Sequence, residues 1–217
     1  MTNSTSELEP LVAHSQSAPR NYANNYHHGN LRRSLIDKGL ELLESRENAE
    51  ISLRELAREV GVSTNAAYRH FENKDALMVA LAVEGCQILM RDQLIVAEQD
   101  QNPERQFRNT GRAYVNFAIK NPALFQLMFG RFTAGNHSPE LNAAADQIYK
   151  NLIEIVSSAI KLEPKDPRVI VFASQAWSLV HGLSVLILNG QFKRLTDDID
   201  GLIDAIFKNQ MSLAQKS

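Results

Sequence analysis

The sequence predicts an all-α protein in which a small three-helix head precedes a longer helical bundle. Three observations carry that prediction. Apolar residues recur at helical spacing along most of the 217 residues, and the alternation of a half-buried strand is scarce. Four prolines share one context, Asn102-Pro103, Asn121-Pro122, Ser138-Pro139 and Asp166-Pro167. In each, a side-chain oxygen precedes a residue with preset φ and no N–H, which suits an N-cap followed by the first helical position. A short charged stretch around Gly61 reads as two brief helices joined by a tight turn.

In chain order, Met1 to Arg20 is rich in Ser, Asn, Thr and Pro, and residues 1–25 read as a disordered tail. No apolar run follows a basic start there, so no secretory signal is expected. Asn30 caps a first helix with Leu31, Leu35, Leu42 and Leu43 inward. Ser52-Leu53-Arg54-Glu55 is a capping box that opens a second, short helix. Gly61 ends it and Ser63 caps a third. From about Asn73 a long helix begins, packed through Leu77, Leu81, Ile88 and Leu89. The spacing sets a head at residues 26–80, with its motif at about 52–71, and a body at 81–217. The boundary between them falls inside the long helix, near residues 75–90.

In the body, a helix follows Asn102 to about Lys120, and a shorter one carries Phe125, Met128 and Phe129. Gly130 and Gly135 mark the next loop. Pro139 opens a long helix to about Lys161, with Leu141, Ala145, Ile148, Leu152, Ile155 and Ala159 along one side. An uncharged helix runs from Pro167 to about Asn189 and is closed by Gly190. The last helix bears Ile199, Leu202, Ile203, Ile206 and Phe207 as an apolar stripe. Its acidic start (Asp197, Asp198, Asp200) and Lys208 near its end suit the helix dipole.

Composition narrows the function. With 23 Lys and Arg against 25 Asp and Glu, the net charge is −2, so an anionic partner must be met by a local patch. One cysteine, Cys86, excludes an internal disulfide or a thiolate cluster and fits a reducing cytoplasm. Residues 169–188 are long enough to span a bilayer, yet they carry Ser174, Gln175, Ser178, His181, Gly182 and Ser184. Those polar groups favour a helix surrounded by protein over insertion in a membrane. No phosphate-binding glycine loop, zinc-protease His pair, serine-nucleophile elbow or paired cysteines occur, so the chain is not expected to be an enzyme or to need a cofactor or metal.

The informative stretch is Leu53 to His70. Ala57 is small where two helices must cross closely, and Gly61 can take φ > 0 in the turn. Leu53, Leu56, Val60, Val62 and Ala67 supply a shared core. This is the layout of a helix-turn-helix, whose second helix enters the DNA major groove. Thr64, Asn65, Tyr68, Arg69 and His70 offer donors and acceptors, with no acidic residue between Ser63 and His70. Residues 51–74 hold four Lys and Arg (Arg54, Arg58, Arg69, Lys74) against three Glu, so phosphate contacts depend on placement more than on bulk charge.

Tyr26-His-His-Gly-Asn-Leu-Arg-Arg33, Leu53-x-x-Leu-Ala-x-x-x-Gly-Val-Ser63, Tyr68-x-His-Phe-x-x-Lys74 and Leu77 together resemble the tetracycline-repressor (TetR) family. Trp177-Ser-Leu-Val-His-Gly182 resembles the Trp-His-Gly type of C-terminal domain within it. The resemblance implies a homodimer with DNA-binding heads and ligand-binding bodies, joined by the last two helices of each subunit in a four-helix bundle. It implies that Arg54, Thr64 and Asn65 approach bases, with Asn65 able to pair with adenine and Arg54 or Arg69 with guanine or phosphate. Tyr68, His70 and Lys74 would hold phosphates, joined by His27 and His28. The DNA partner would be a near-palindromic duplex, and the sense of regulation repression released by a small molecule.

In the body, Phe117, Phe125, Met128, Phe129, Phe132, Trp177 and His181 are candidates for the wall of an apolar cavity. Phe125, Phe129, Trp177 and His181 are the expected ligand contacts, Trp177 and His181 lying one turn apart on one face. Gly182 beside them would let a neighbouring helix approach. Two readings compete: an activator or a DNA-bound scaffold without ligand, and an all-helical small-molecule carrier.

Overall fold

The computed structural model describes residues 30–46, 50–130 and 138–214, with side chains described to Lys208. His27, His28, Phe132 and His137 lie outside these residues. The described residues form α1 (Leu31–Glu44), α2 (Leu53–Val60), α3 (Thr64–Tyr68), α4 (Lys74–Glu98), α5 (Pro103–Lys120), α6 (Pro122–Phe129), α7 (Pro139–Ile160), α8 (Pro167–Leu188) and α9 (Ile199–Ala214). A 3₁₀ turn, Gln191–Arg194, links α8 to α9.

The expected starts and stops are present as hydrogen bonds. Asn30, Ser52, Ser63 and Asn73 each accept from a backbone N–H three residues on, at 3.2, 3.1, 3.2 and 2.9 Å. Asn102 and Ser138 cap α5 and α7 in the same manner and Asp166 caps α8 through the Arg168 N–H two residues on, each with Pro at the first helical position. Asn121 departs from that expectation. Its side-chain amide donates back to the Phe117 carbonyl (2.9 Å), and it closes α5 while making no side-chain cap for α6. A single residue serves two helices there, and the buried carbonyl of α5 takes its amide.

One apolar core runs through head and body. Leu35, Leu40, Leu43, Leu56, Ala67 and Phe71 of the head join Leu77, Leu81 and Leu89 of α4 and Val115, Phe117, Leu124 and Phe125 beyond it. Helix α4 is the shared beam, packed on α1 at one end and on α5, α6 and α7 along its length. A second, smaller cluster of Val156, Val169 and Ala173 ties α7 to α8 under Phe107 and Leu152.

Two packing expectations need correction. Ala145 is exposed, and the residues α7 buries are Leu141, Val156 and Ser157, while Ile148, Leu152 and Ile155 of the expected stripe are half-buried. They face open space within the bundle. Helix α8 is long and apolar enough to cross a membrane (mean hydropathy 1.6), but it is not surrounded by protein within one chain. It buries Val169, Ala173, Ala176, Val180, Leu183 and Ser184, and leaves Ile170, Val171, Val185 and Leu186 exposed. A Cβ at Gly182 would meet nothing within 4 Å, so among the described residues no other helix approaches there.

Candidate nucleic-acid interface

The head is built around its turn. Gly61 adopts φ +77° and ψ +30°, the left-handed region that an L side chain resists. Its N–H meets the Arg58 carbonyl at 3.1 Å, and the Val62 N–H meets that of Ala57 at 2.8 Å, which ends α2 and turns the chain. Ala57 is buried where α2 and α3 cross. Ala67 and Phe71 sink fully into the core and so fix which side of α3 points out.

The outward side carries Asn65, Tyr68, Arg69 and His70, all exposed, with Thr64 half-buried beside them. Tyr68 presents half of its surface to solvent, where its ring and hydroxyl are both accessible. Arg54, in the first turn of α2, and Lys74, in the first turn of α4, are exposed as well. Among the described residues no acidic group pairs with Arg54, Arg69 or Lys74. Neighbouring cations are occupied instead. Arg33 spans from Asp37 (2.8 Å) to Glu84 (2.6 Å), fastening α1 to α4. Arg46 holds Glu55, and that hydrogen bond keeps the carboxyl below the usual carboxylate range. Arg58 meets Glu59 at 3.1 Å. The thin charge surplus thus resolves into a paired structural set and an exposed set without ion pairs among the described residues, Arg54, Arg69 and Lys74, which is free to meet a polyanion.

All seven expected DNA-contacting residues lie on the head and are accessible there. Sequence reasoning gave no role to Arg32, whose guanidinium stands over the Phe71 ring at 5.2 Å. The Arg-Arg pair was visible in the sequence. Arg33 is held by Asp37 and Glu84 from the two helices, whereas Arg32 makes no ion pair among the described residues and lies within electrostatic reach of Glu140.

A second feature lies in the body. A cleft open to solvent at its mouth lies between α4, α5, α7, α8 and α9, with an enclosed cavity of about 40 Å³. Its wall includes Phe107, Gly111 and Tyr114 of α5, Leu152 and Ile155 of α7, Trp177 and Val180 of α8, and Phe207 of α9. A Cβ at Gly111 would stand 2.9 Å from the Phe207 ring, so this glycine lets α9 close that end. Of the expected ligand contacts, Trp177 is in the wall, whereas Phe125, Phe129 and His181 stand behind Tyr114. Their ring centroids lie 5.9, 6.0 and 6.4 Å from its own. Phe117 and Met128 belong to the closed core. The Tyr114 hydroxyl accepts from the Trp177 indole and lies 3.0 Å from Nδ1 of His181. The His181 tautomer sets which of the two donates, and burial holds the His181 pKa below its ordinary value. Burial likewise pushes the Tyr114 pKa far up, so the relay carries no charge.

Helix α6 connects the two features. Phe125 and Phe129 face Tyr114 and His181, while Leu124 and Met128 lie against Gly85 of α4, where a Cβ would meet the Met128 sulfur at 2.6 Å. Leu124 also adjoins Leu40 and Leu43 of α1. A change at Tyr114 therefore has a packed route to the head.

Residues 35–81 match the model of bacterial regulatory proteins of the tetR family, and residues 107–209 that of the tetracyclin repressor-like C-terminal domain. The HTH-type transcriptional regulator YobS of Bacillus subtilis (strain 168) is 24% identical over 175 residues, 80% of this chain and 87% of its own. The nucleoid occlusion factor SlmA of Marinobacter nauticus is 31% identical over 132 residues, 60% of this chain and 66% of its own. Among solved structures, a protein of unknown function from Rhodococcus sp. RHA1 superposes with a TM-score of 0.72 at 29% identity, covering 86% of this chain and 96% of that one.

Proposed function

The chain belongs to the tetR family of bacterial regulatory proteins and is a sequence-specific DNA-binding regulator; from that premise we propose that it is a homodimeric repressor released from its operator by a small molecule. The observation that carries the DNA reading is the exposed set of cations on the head without ion pairs among the described residues. In this reading Arg54, Thr64 and Asn65 approach base edges, while Tyr68, Arg69, His70 and Lys74 take phosphate. The head corresponds to residues 26–80 and the body to 81–217.

The dimer reading rests on the exposed side of α8. Ile170, Val171, Val185 and Leu186 leave apolar surface exposed at both ends of the helix, with Ser174, Gln175, Ser178 and Gly182 between them. A partner's α8 and α9 covering that surface would complete a four-helix bundle, and two heads would then face successive major grooves about 34–36 Å apart. A soluble dimer also accounts for the hydropathy of α8 without a membrane, in the cytoplasm where the operator lies. Trp177, His181 and Gly182 fit the Trp-His-Gly type of body, and the 6.3 Å approach of the first two rings supports that assignment. Ligand in the cavity moves Tyr114 and α6, and the head follows; a coupling of about 1–3 kcal/mol would change operator affinity roughly 5- to 150-fold.

A second reading, a DNA-bound protein without ligand, is favoured by the likeness to a nucleoid occlusion factor. Selection of bound genomic fragments by the purified protein, followed by footprinting, tests the proposal. A protected near-palindrome beside a gene whose expression rises when this protein is deleted supports repression. A fall in expression on deletion contradicts it.

A further inference from the structure

The chemistry of the cavity wall restricts its occupant, an inference that rests on the ligand-responsive reading above. Among the described residues, no Asp, Glu, Lys, Arg or His lines the cavity. Four aromatic rings, Phe107, Tyr114, Trp177 and Phe207, do so, with aliphatic side chains between them. A charged ligand would lose its hydration there and find no counter-ion.

The polar groups of the wall are mostly engaged with one another. The Gln93 amide donates to the Thr110 carbonyl at 3.2 Å, and the Thr110 hydroxyl to the Phe107 carbonyl at 2.9 Å. The Tyr114 hydroxyl and the Trp177 indole are joined in the relay to His181. Asn151 differs. Its half-buried amide lines the cavity and has no hydrogen-bond partner among the described residues. An amide offers both a donor and an acceptor, so it can meet a carbonyl, hydroxyl or amine.

We propose that the cavity takes an uncharged, largely apolar, ring-bearing molecule that presents one hydrogen-bonding group to Asn151. The rings supply flat apolar surfaces for the ligand's body, and the one free amide sets its direction. Phe207 at one end makes the last helix sense whether the space is filled.

Two dyes with one ring skeleton test this on the full-length protein: neutral N-phenyl-1-naphthylamine and anionic 8-anilino-1-naphthalenesulfonate, each titrated by fluorescence. The neutral dye should saturate one site per chain, and the sulfonate should bind at least about 100-fold more weakly. Ile155→Trp and Asn151→Trp, which fill the space from the half-buried α7 wall, should each weaken the neutral dye by about tenfold or more. Circular dichroism and duplex affinity confirm that each variant is folded. Equal affinity for both dyes, lost in the variants, would overturn the ligand class and leave a ligand-responsive cavity standing. Neutral-dye binding that is absent, or indifferent to both variants, while operator binding is intact would overturn the cavity as a ligand site and leave the DNA regulator standing.

Discussion

Replacing Gly61 with alanine tests whether the turn of the head is held in the left-handed region. At φ +77° an added Cβ has open space around it, with nothing within 4 Å, so steric contact with other residues contributes no cost. The remaining penalty is local. Left-handed backbone costs an L residue roughly 1–2 kcal/mol. Alanine also restricts the unfolded chain, which returns about 0.4–1 kcal/mol. The net expectation is a destabilisation of about 1 kcal/mol. For a chain of this length that lowers Tm by about 2–4 °C. Urea denaturation followed by circular dichroism, at fixed protomer concentration, measures it, because dimer stability varies with concentration. Gly61→Asn is the control, since asparagine enters this region more readily and should recover part of the loss. Because no DNA-facing side chain changes, operator affinity of the folded variant should stay within about twofold, a shift of under 0.5 kcal/mol. Gly61→Ala as stable as the parent would refute the account of the turn.

The other predictions address the interface, the relay and the end of α7. Tyr68→Ala and Lys74→Ala should each weaken duplex binding across sequences, and Lys74→Ala should flatten the salt slope by about one unit; sedimentation should show the dimer unchanged. His181 has a pKa held below its ordinary value of about 6.5, so the unfolded chain binds its proton first. Stability is therefore fully present above pH 6.5 and falls as pH drops from there to the folded value; His181→Gln, a neutral hydrogen-bonding partner for Tyr114, should remove that dependence in urea midpoints measured across the window. Lys161 closes α7 at φ +57°, where a glycine is at ease. Lys161→Gly should raise stability by about 0.5–1 kcal/mol in the same urea assay.

The head was legible in the sequence because its determinants are local. Ser52, Ser63 and Asn73 cap helices through bonds three residues long, and Gly61 serves its turn without help from elsewhere. The four prolines announced helix starts for the same reason, although the double duty of Asn121 depends on a helix ending where the next begins. The cavity was not legible, because its wall draws on five helices. Phe107, Gly111 and Tyr114 recur at helical spacing along α5 and read as ordinary core, as do Ile148, Leu152 and Ile155 of α7. Nothing in sequence separates a side chain facing another side chain from one facing a void. Cover for α8 from a second chain was legible only through the family resemblance, since apolar residues all round a helix signal burial without saying which chain supplies the cover.

The central claim is that the exposed surface of the head reads a particular duplex. Fluorescence anisotropy with duplexes from the gene's own flanking region and from selected genomic fragments, at about 50 and 200 mM salt with competitor DNA, tests it most directly. Six to ten phosphate contacts predict an affinity loss of about 10³–10⁵ across that range, with binding to one fragment surviving competitor at the lower salt. Affinity that is equal for every duplex, or indifferent to salt, would contradict the account.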